Sequence, residues 1–384
     1  MKNFVSIMNI PSPYRVYLFE KLQEAARERD CSLCVHFMAK SHKERPLSWR
    51  NPKMSFRHKY WADCGWRHHH FNPFLIMSLM WKKCDVLLVG TPFDTFTGIL
   101  AALLLRATVK ICWIEGNTKT PGVMDGFLGC FKRFIISKFD YVAVPGVDAA
   151  RYIGLHQKAT KRVMPQVVFL PNLIDETKFK PRCLWNINEI VTKRRSLNAG
   201  EDEKVCLVPA RLSSVKGLLQ FIEAIDEKML RKWRIVIIGQ GEQKQEIEQL
   251  SSNKHIADRI MILDYVDYAE MPLYYAASDL FLLPSIHDPN PLSVPEALHS
   301  GLPVALSDQL GNVEEGVTDG ENGWVLPVLK KDEYKKALIK VFSASFEELK
   351  HKGSNSLLKN ARFWSSDKSI NNFLDVIGLK NKAD

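Results

Sequence analysis

Apolar residues in this chain fall into short continuous runs separated by stretches of helical spacing. Residues 4–10 read as a strand, and from about Tyr14 a helix turns Val16, Leu18, Phe19, Leu22 and Ala26 to one side. A second strand is predicted at 33–38. A polar, basic stretch with Pro46 and Pro52 follows, and Pro73 then opens an apolar helix. A buried strand at 85–90, a helix at 97–105, a strand at 109–114 ending at Glu115-Gly116, and a strand at 141–144 complete the first half. Strands that alternate with helices, apolar along their whole length, predict a parallel sheet covered on both faces.

The pattern restarts further on. Residues 178–200 mix charge, a proline and few apolar positions, as a linker would. Strands are then predicted at 205–209, 234–239, 260–263, 280–283 and 303–305. Helices are predicted from Gly217, over 243–250, around 271–277, at 294–300 and through the last fifty residues. The expected organisation is an N-terminal α/β domain over 1–175, a linker over 176–200 and a second α/β domain over 201–362. A C-terminal helix over 363–384 is expected to pack back toward the first domain. In open α/β sheets, ligands lie beyond the carboxyl ends of the strands, so two such domains suit two substrates with a cleft between them.

With 384 residues, 46% hydrophobic and 25% charged, the chain is long enough for two ordinary domains and is neither disordered nor collagen-like. Its longest apolar runs, 74–77 with 79–81 and 99–105, fall short of the roughly 20 residues of a membrane span. Residues 3–10 have no apolar signal core, so a soluble, cytoplasmic protein is expected. The net charge of +10 divides unevenly: residues 1–190 carry +13 and residues 191–384 carry −3. A basic half points to an anionic surface, nucleic acid or an acidic membrane leaflet. No helix-turn-helix, zinc or ribonucleoprotein signature supports nucleic acid.

Eight cysteines are few for this length, and without a secretion signal they predict buried reduced thiols rather than disulfides. Cys31-x-x-Cys34 sits in a strand-like run, and Cys64 with His68, His69 and His70 lacks a zinc spacing, so no metal site is expected. Phe127, Phe131, Phe134 and Ile135 with Lys132, Arg133 and Lys138 form a basic amphipathic helix, read as core-facing with a solvated charged face.

The strongest chemical signal lies after the strands of the second half. Arg211 and Lys216 follow one strand and precede a helix, an arrangement that suits a diphosphate. Gly239-Gln-Gly241 ends the next strand, where the missing side chains permit close approach to a ligand. After a later strand, Asp288 and Glu296 flank a turn and a helix start, placed to accept hydrogen bonds from sugar and ribose hydroxyls.

These residues, with Asp288-x7-Glu296-Ala, Ser300-Gly-Leu-Pro-Val, Gly311-Asn-Val-Glu-Glu315 and Asp319-Gly-Glu-Asn-Gly323, resemble the family-4 retaining glycosyltransferases. The likeness is dense over 205–325 and thinner over 1–175, where Pro11-Ser-Pro-Tyr-Arg15 and Pro171-Asn-Leu-Ile-Asp175 carry it. It implies an α/β GT-B architecture of two Rossmann-like domains facing across a cleft, with no metal and no cofactor beyond a nucleoside diphosphate sugar as donor. It further implies that Arg211 and Lys216 hold the diphosphate, Glu296 the ribose and Asp288 the donor sugar. Asn290, Leu292 and Ser293 would lie against phosphates or sugar, and Val266 beside the base. Asp288 stands where the family has Glu, Pro289 and Pro291 where it commonly has Gly, and Asn312 replaces the second Gly of a usual pair. Glu115 occupies the place of a catalytic-region His; it either faces the acceptor or pairs with a basic neighbour such as Arg15.

The expected function is therefore transfer of a sugar, with retention, to a hydroxyl of a glycan, and a lipid-linked one is expected because the basic first half fits an anionic leaflet. The expected setting is surface polysaccharide or glycoconjugate synthesis. The alternative is a non-catalytic relative that binds sugar nucleotide and acts as a partner subunit. A nicotinamide dehydrogenase is disfavoured, because Asn9-Ile-Pro-Ser-Pro13 stands where Gly-x-Gly-x-x-Gly would follow the first strand.

Overall fold

The computed structural model describes residues 1–41, 52–65, 69–90, 92–119, 126–160 and 163–380. The chain divides into two compact units, residues 1–173 with 365–384, and residues 174–364.

The first unit is built on a seven-stranded parallel sheet. Its strands are β1 (Lys2–Met8), β2 (Cys31–Phe37), β3 (His58–Tyr60), β4 (Lys83–Gly90), β5 (Arg106–Trp113), β6 (Tyr141–Val144) and β7 (Gln166–Phe169). They run in the order β3-β2-β1-β4-β5-β6-β7. Successive residues serve opposite faces. Phe4 and Met8 of β1 and Val86 and Leu88 of β4 enter one core, while Ile7, Leu87 and Val89 enter the other. Burial on both sides is why these strands read as unbroken apolar runs. One face is covered by α1 (Pro13–Glu28) and the C-terminal helix α14 (Ser366–Val376). The other is covered by α2 (Pro73–Met80), α3 (Phe96–Leu104), α4 (Gly126–Ile136) and α5 (Val147–Lys158). The short β3 and β7, and α5, have no separate signature in the sequence pattern.

Ser12 caps α1 through a bond from the Arg15 amide, and Pro13 occupies its first turn, where no N–H is needed. Within α4 the expected division of faces fails. Arg133 is buried and reaches the Cys130 sulfur at 3.4 Å, whereas Phe127 and Leu128 are exposed. Of the cysteines, Cys31, Cys112 and Cys206 are buried as expected, but Cys64, Cys130 and Cys183 are exposed; all eight are free thiols. His68 and the stretch around Pro46 lie outside the described residues.

The second unit holds a six-stranded parallel sheet in the order β10-β9-β8-β11-β12-β13. Its strands are β8 (Lys204–Pro209), β9 (Trp233–Ile238), β10 (Ile260–Leu263), β11 (Leu280–Leu283), β12 (Val304–Ser307) and β13 (Gly323–Leu326). The residues read as a linker instead form a 3-10 turn at Arg182–Leu184 and the helix α6 (Ile187–Ser196), which belong to this unit. Their low apolar content misleads because charge anchors them. Buried Asp279 accepts from Arg182 Nη1 and Arg194 Nη1, each at 2.8 Å, and from the Val205 amide at 2.9 Å. Helices α7 (Leu218–Ala224), α8 (Lys244–Asn253), α9 (Met271–Ala277), α10 (Ser293–His299), α11 (Val313–Gly316), α12 (Lys331–Ser343) and α13 (Phe346–Phe363) complete the unit.

Candidate functional site

Each sheet has one place where the strand order reverses, and the loops leaving the two central strands there part to opposite faces and open a crevice. In the second unit these strands are β8 and β11. The loop after β8 carries Arg211 and a 3-10 turn, Ser214–Lys216, closed by Gly217 at φ +66°. A Cβ on Gly217 would lie 2.3 Å from the Pro284 carbonyl oxygen, so only glycine lets the β8 loop meet the β11 loop so closely. The Ile286 and His287 amides both donate to the Val215 carbonyl, at 2.9 and 3.1 Å. This joining brings Lys216 Nζ onto Asp288 Oδ2 as an ion pair, both side chains mostly buried. The loop after β12 supports the same segment. The Gly311 amide donates to the Asp288 carbonyl at 3.0 Å, and buried Asn312 donates from Nδ2 to the Pro291 carbonyl at 3.0 Å. Asn312 thus braces the proline-bearing loop by a bond that glycine could not make.

Glu296 lies on α10, 4% exposed, and accepts a 2.7 Å bond from the Tyr275 hydroxyl of α9. Tyr275 is itself fully buried between Phe179 and Phe281. Tyr275 falls in the helix predicted around 271–277, and the sequence pattern gives no sign of this bond. Arg211 is exposed, Asn290 is half-buried on the loop of Asp288, Leu292 is the residue before α10 and Ser293 its first. Val266 stands apart, on the loop beyond the edge strand β10. Gly239 and Gly241 answer a different need from the one expected. A Cβ on them would lie 2.0 Å from the Ala210 carbonyl oxygen and 2.1 Å from that of Leu212, so their close approach is to the β8 loop's own backbone.

In the first unit the order reverses between β1 and β4. A cavity of about 210 Å³ opens beyond their carboxyl ends, with Arg15, Asp94, Glu115, Lys132 and Tyr152 on its wall. Arg15 Nη2 bonds Glu115 Oε1 at 2.9 Å, and Asn172 Nδ2 donates to the same oxygen at 2.6 Å. The Arg15 guanidinium lies over Trp113, its carbon 3.6 Å from the ring centre. Burial lowers the Arg15 pKa, and Glu115 opposes that shift. Glu115 therefore does pair with Arg15, while its side chain, 43% exposed, remains on the cavity wall. Burial also raises the Asp94 carboxyl, against the pull of Lys132 and His69. Cations, carboxylates and a phenol around one cavity suit a ligand rich in hydroxyl groups. Two histidines of this unit are tied to neighbouring polar groups: buried His70 bonds Asp63 Oδ2 at 2.5 Å, and His69 Nδ1 lies 3.2 Å from the Asp94 carbonyl.

The fold has full-length counterparts among solved structures. Sucrose-phosphate synthase from Thermosynechococcus elongatus aligns over 96% of both chains with a TM-score of 0.71 and 15% identity. The Anabaena HepE protein in complex with UDP and glucose aligns over 97% of this chain and 98% of its own, with a TM-score of 0.72 and 16% identity. In sequence, alpha-monoglucosyldiacylglycerol synthase of Acholeplasma laidlawii is 31% identical over 142 residues, 36% of this chain and 35% of that protein. UDP-Gal:alpha-D-GlcNAc-diphosphoundecaprenol alpha-1,3-galactosyltransferase of Escherichia coli is 28% identical over 181 residues, 46% of this chain and 45% of that one. The matching stretch is thus less than half the length of either curated relative. Residues 189–364 match the family model of the glycosyl transferases group 1. That stretch carries the Lys216–Asp288 and Tyr275–Glu296 pairs, so both lie in the part of the chain that is similar to the group 1 glycosyl transferases.

Proposed function

We propose that this protein is a retaining glycosyltransferase that moves a sugar from a nucleoside diphosphate sugar to a hydroxyl of a lipid-linked glycan. The observation that carries this reading is the meeting of Lys216 and Asp288 at the strand-order reversal of the second unit, with Arg211 on the same loop. The two partners have complementary tasks. Lys216, with Arg211, supplies positive charge to a diphosphate, and Asp288 accepts from hydroxyls of the sugar attached to it. Glu296, held by Tyr275, accepts from the ribose.

In the reaction the acceptor oxygen forms a bond to the anomeric carbon while the bond from that carbon to the diphosphate breaks. The electron pair of the broken bond stays on the diphosphate, which takes the acceptor's proton. Charge develops on the leaving group, so fixed cations aimed there lower the barrier. Arg211 and Lys216 fill the role a metal ion would otherwise have, and neither metal nor further cofactor takes part. The cavity around Arg15, Glu115 and Tyr152 receives the acceptor. A lipid-linked acceptor is supported by the relatives in Acholeplasma and Escherichia, whose names specify a diacylglycerol product and a diphosphoundecaprenol acceptor. Surface polysaccharide or glycoconjugate synthesis is the process that consumes such products.

The test is release of nucleoside diphosphate from a panel of donors, with the anomeric configuration of the product read by NMR. Turnover with retained configuration is expected. Inversion would refute the retaining chemistry, and tight nucleotide binding without turnover of any donor would favour a non-catalytic partner subunit.

A further inference from the structure

Three neighbouring helices of the first unit leave large apolar residues on the surface. Helix α3 turns Thr97, Gly98, Ala101 and Ala102 inward and leaves Phe96 (59% exposed), Leu103 and Leu104 (each 44%) outside. Helix α2 packs against it and exposes Phe74 (61%) and Met77 (60%), with Trp81 (87%) just past its end. The spacing of three and then four residues sets these on one stripe. Helix α4 packs along α3 as well and exposes Phe127 and Leu128. Phe71 meets the edge of Phe96, with ring centroids 6.4 Å apart. A helix surrounded by water places its large apolar residues inward and its small or polar ones outward. Single exposed hydrophobic residues need no explanation, but a patch spread over three adjacent helices does.

Charge identifies what covers the patch. At the ends of α2 and α3 a groove of about 290 Å³ gathers Arg57, Lys59, Lys82, Lys83 and Arg106, all exposed. Asp85, on the same strand as Lys83, accepts from the Asn3 amide at 2.7 Å. On α4, Lys132 lies 4.7 Å from the centre of the Phe93 ring. No helix among the described residues is long and apolar enough to cross a membrane. An apolar centre bordered by cations, with a tryptophan at the border, matches the boundary between acyl chains and headgroups of an anionic bilayer.

We propose that the α2–α3–α4 face is a membrane-docking surface, which seats Phe74, Met77, Trp81, Phe96 and Leu103 at the acyl boundary and sets the basic groove against lipid phosphates. Lys132 of α4 also lines the cavity assigned to the acceptor, but the five apolar residues seated at the bilayer lie outside that cavity, and the test does not depend on sugar transfer. Phosphatidylcholine vesicles with and without phosphatidylglycerol are sedimented with the full-length protein at low and high salt. Binding to the anionic vesicles is expected to weaken with salt and yet persist, because insertion is not screened. The triple variant Phe74→Ser, Trp81→Ser, Phe96→Ser should bind about a hundredfold more weakly with an unchanged melting temperature. Lys82→Glu with Lys83→Glu should remove the preference for anionic vesicles. Trp81→Phe should keep binding while losing the fluorescence quenching that brominated acyl chains produce in the parent. Complete release by salt, undiminished binding of the triple variant, or sedimentation of the free protein as a dimer that the triple variant abolishes would each overturn the proposal. The last outcome would assign the face to a second copy of the chain.

Discussion

Lys216 and Asp288 lie 72 residues apart in sequence and form one ion pair in the fold. A charged hydrogen bond from Lys216 or Arg211 to a phosphate contributes about 1.5–3 kcal/mol, against at most about 1 kcal/mol for a solvated cation. Lys216→Ala and Arg211→Ala should each lower kcat/KM by about tenfold to a hundredfold in a coupled diphosphate-release assay. If the charge acts on the leaving group, kcat falls too; a rise in KM alone would reduce the pair to ground-state binding. Asp288→Asn should act mainly on turnover and Glu296→Gln mainly on nucleotide affinity, and unaltered donor kinetics in both would refute these roles. Two histidines give the molecule a pH dependence. Burial, aided by Lys59, Arg57 and Lys82, pushes His36 down to about 4, and its Nδ1 accepts from Trp61 Nε1 at 2.9 Å, a bond that only an unprotonated Nδ1 can make. Burial likewise pushes His156 down to about 4, with Arg133 and Lys132 adding to it. Unfolding returns both rings to their ordinary 6.5, so the unfolded chain binds more protons between pH 4 and 6.5. Stability is therefore full above about pH 6.5 and falls as the pH drops toward 4, by up to about 3 kcal/mol for each ring. Urea unfolding across that range should show the decline, and His156→Phe should lessen it.

At the scale of the element, α6 illustrates how charge can replace apolar periodicity. It buries a single large apolar residue, Ile190, and is anchored by Arg194, which bonds Asp279 and the Ala277 carbonyl at 2.8 and 2.9 Å. Asp279→Ala would leave Arg194 mostly buried without its carboxylate and the Val205 amide without its acceptor. A loss of about 3–5 kcal/mol is expected in chemical denaturation, and a loss below 1 kcal/mol would show that α6 is held by other means. Gly217 sets the junction of the β8 and β11 loops. Gly217→Ala adds a left-handed residue, costing about 1–2 kcal/mol, to a contact with backbone that cannot yield cheaply. The variant should lose both stability and turnover, since Lys216 is the adjacent residue. A variant with full turnover would separate the loop junction from the chemistry.

For the molecule as a whole, the last helix belongs to the first unit although the whole second unit precedes it in sequence. Ile370, Phe373, Leu374, Ile377 and Leu379 join the core formed with α1. Arg29, its side chain fully buried, donates to the Leu379 carbonyl at 2.8 Å and to Asp375 at 3.1 Å. Phe373→Ala should cost about 3–5 kcal/mol. If the first unit melts as a separate transition in calorimetry, that transition should be the one displaced; displacement of the other would contradict the division of the chain.

How much of this was legible beforehand depended on the range of the interactions. Alternating buried strands and helices reveal the parallel α/β class because burial on both faces leaves an unbroken apolar run in each strand. The spacing of Arg211, Lys216, Asp288 and Glu296 survives in the sequence because each follows or begins a regular element at its own place. Short strands such as β3, three residues long, lack the length to show a period. The anchoring of α6 was hidden because it depends on Asp279, far along the chain. The Tyr275–Glu296 bond, the reason for Gly239 and Gly241, and the outward turn of Phe74, Trp81 and Phe96 were decided only by tertiary structure. A sequence shows how often an apolar residue recurs, but which side of its helix meets the sheet is set by what else must fit there. At α3 the sheet takes Gly98, Ala101 and Ala102, whose small size permits close packing, and the larger side chains are left on the surface.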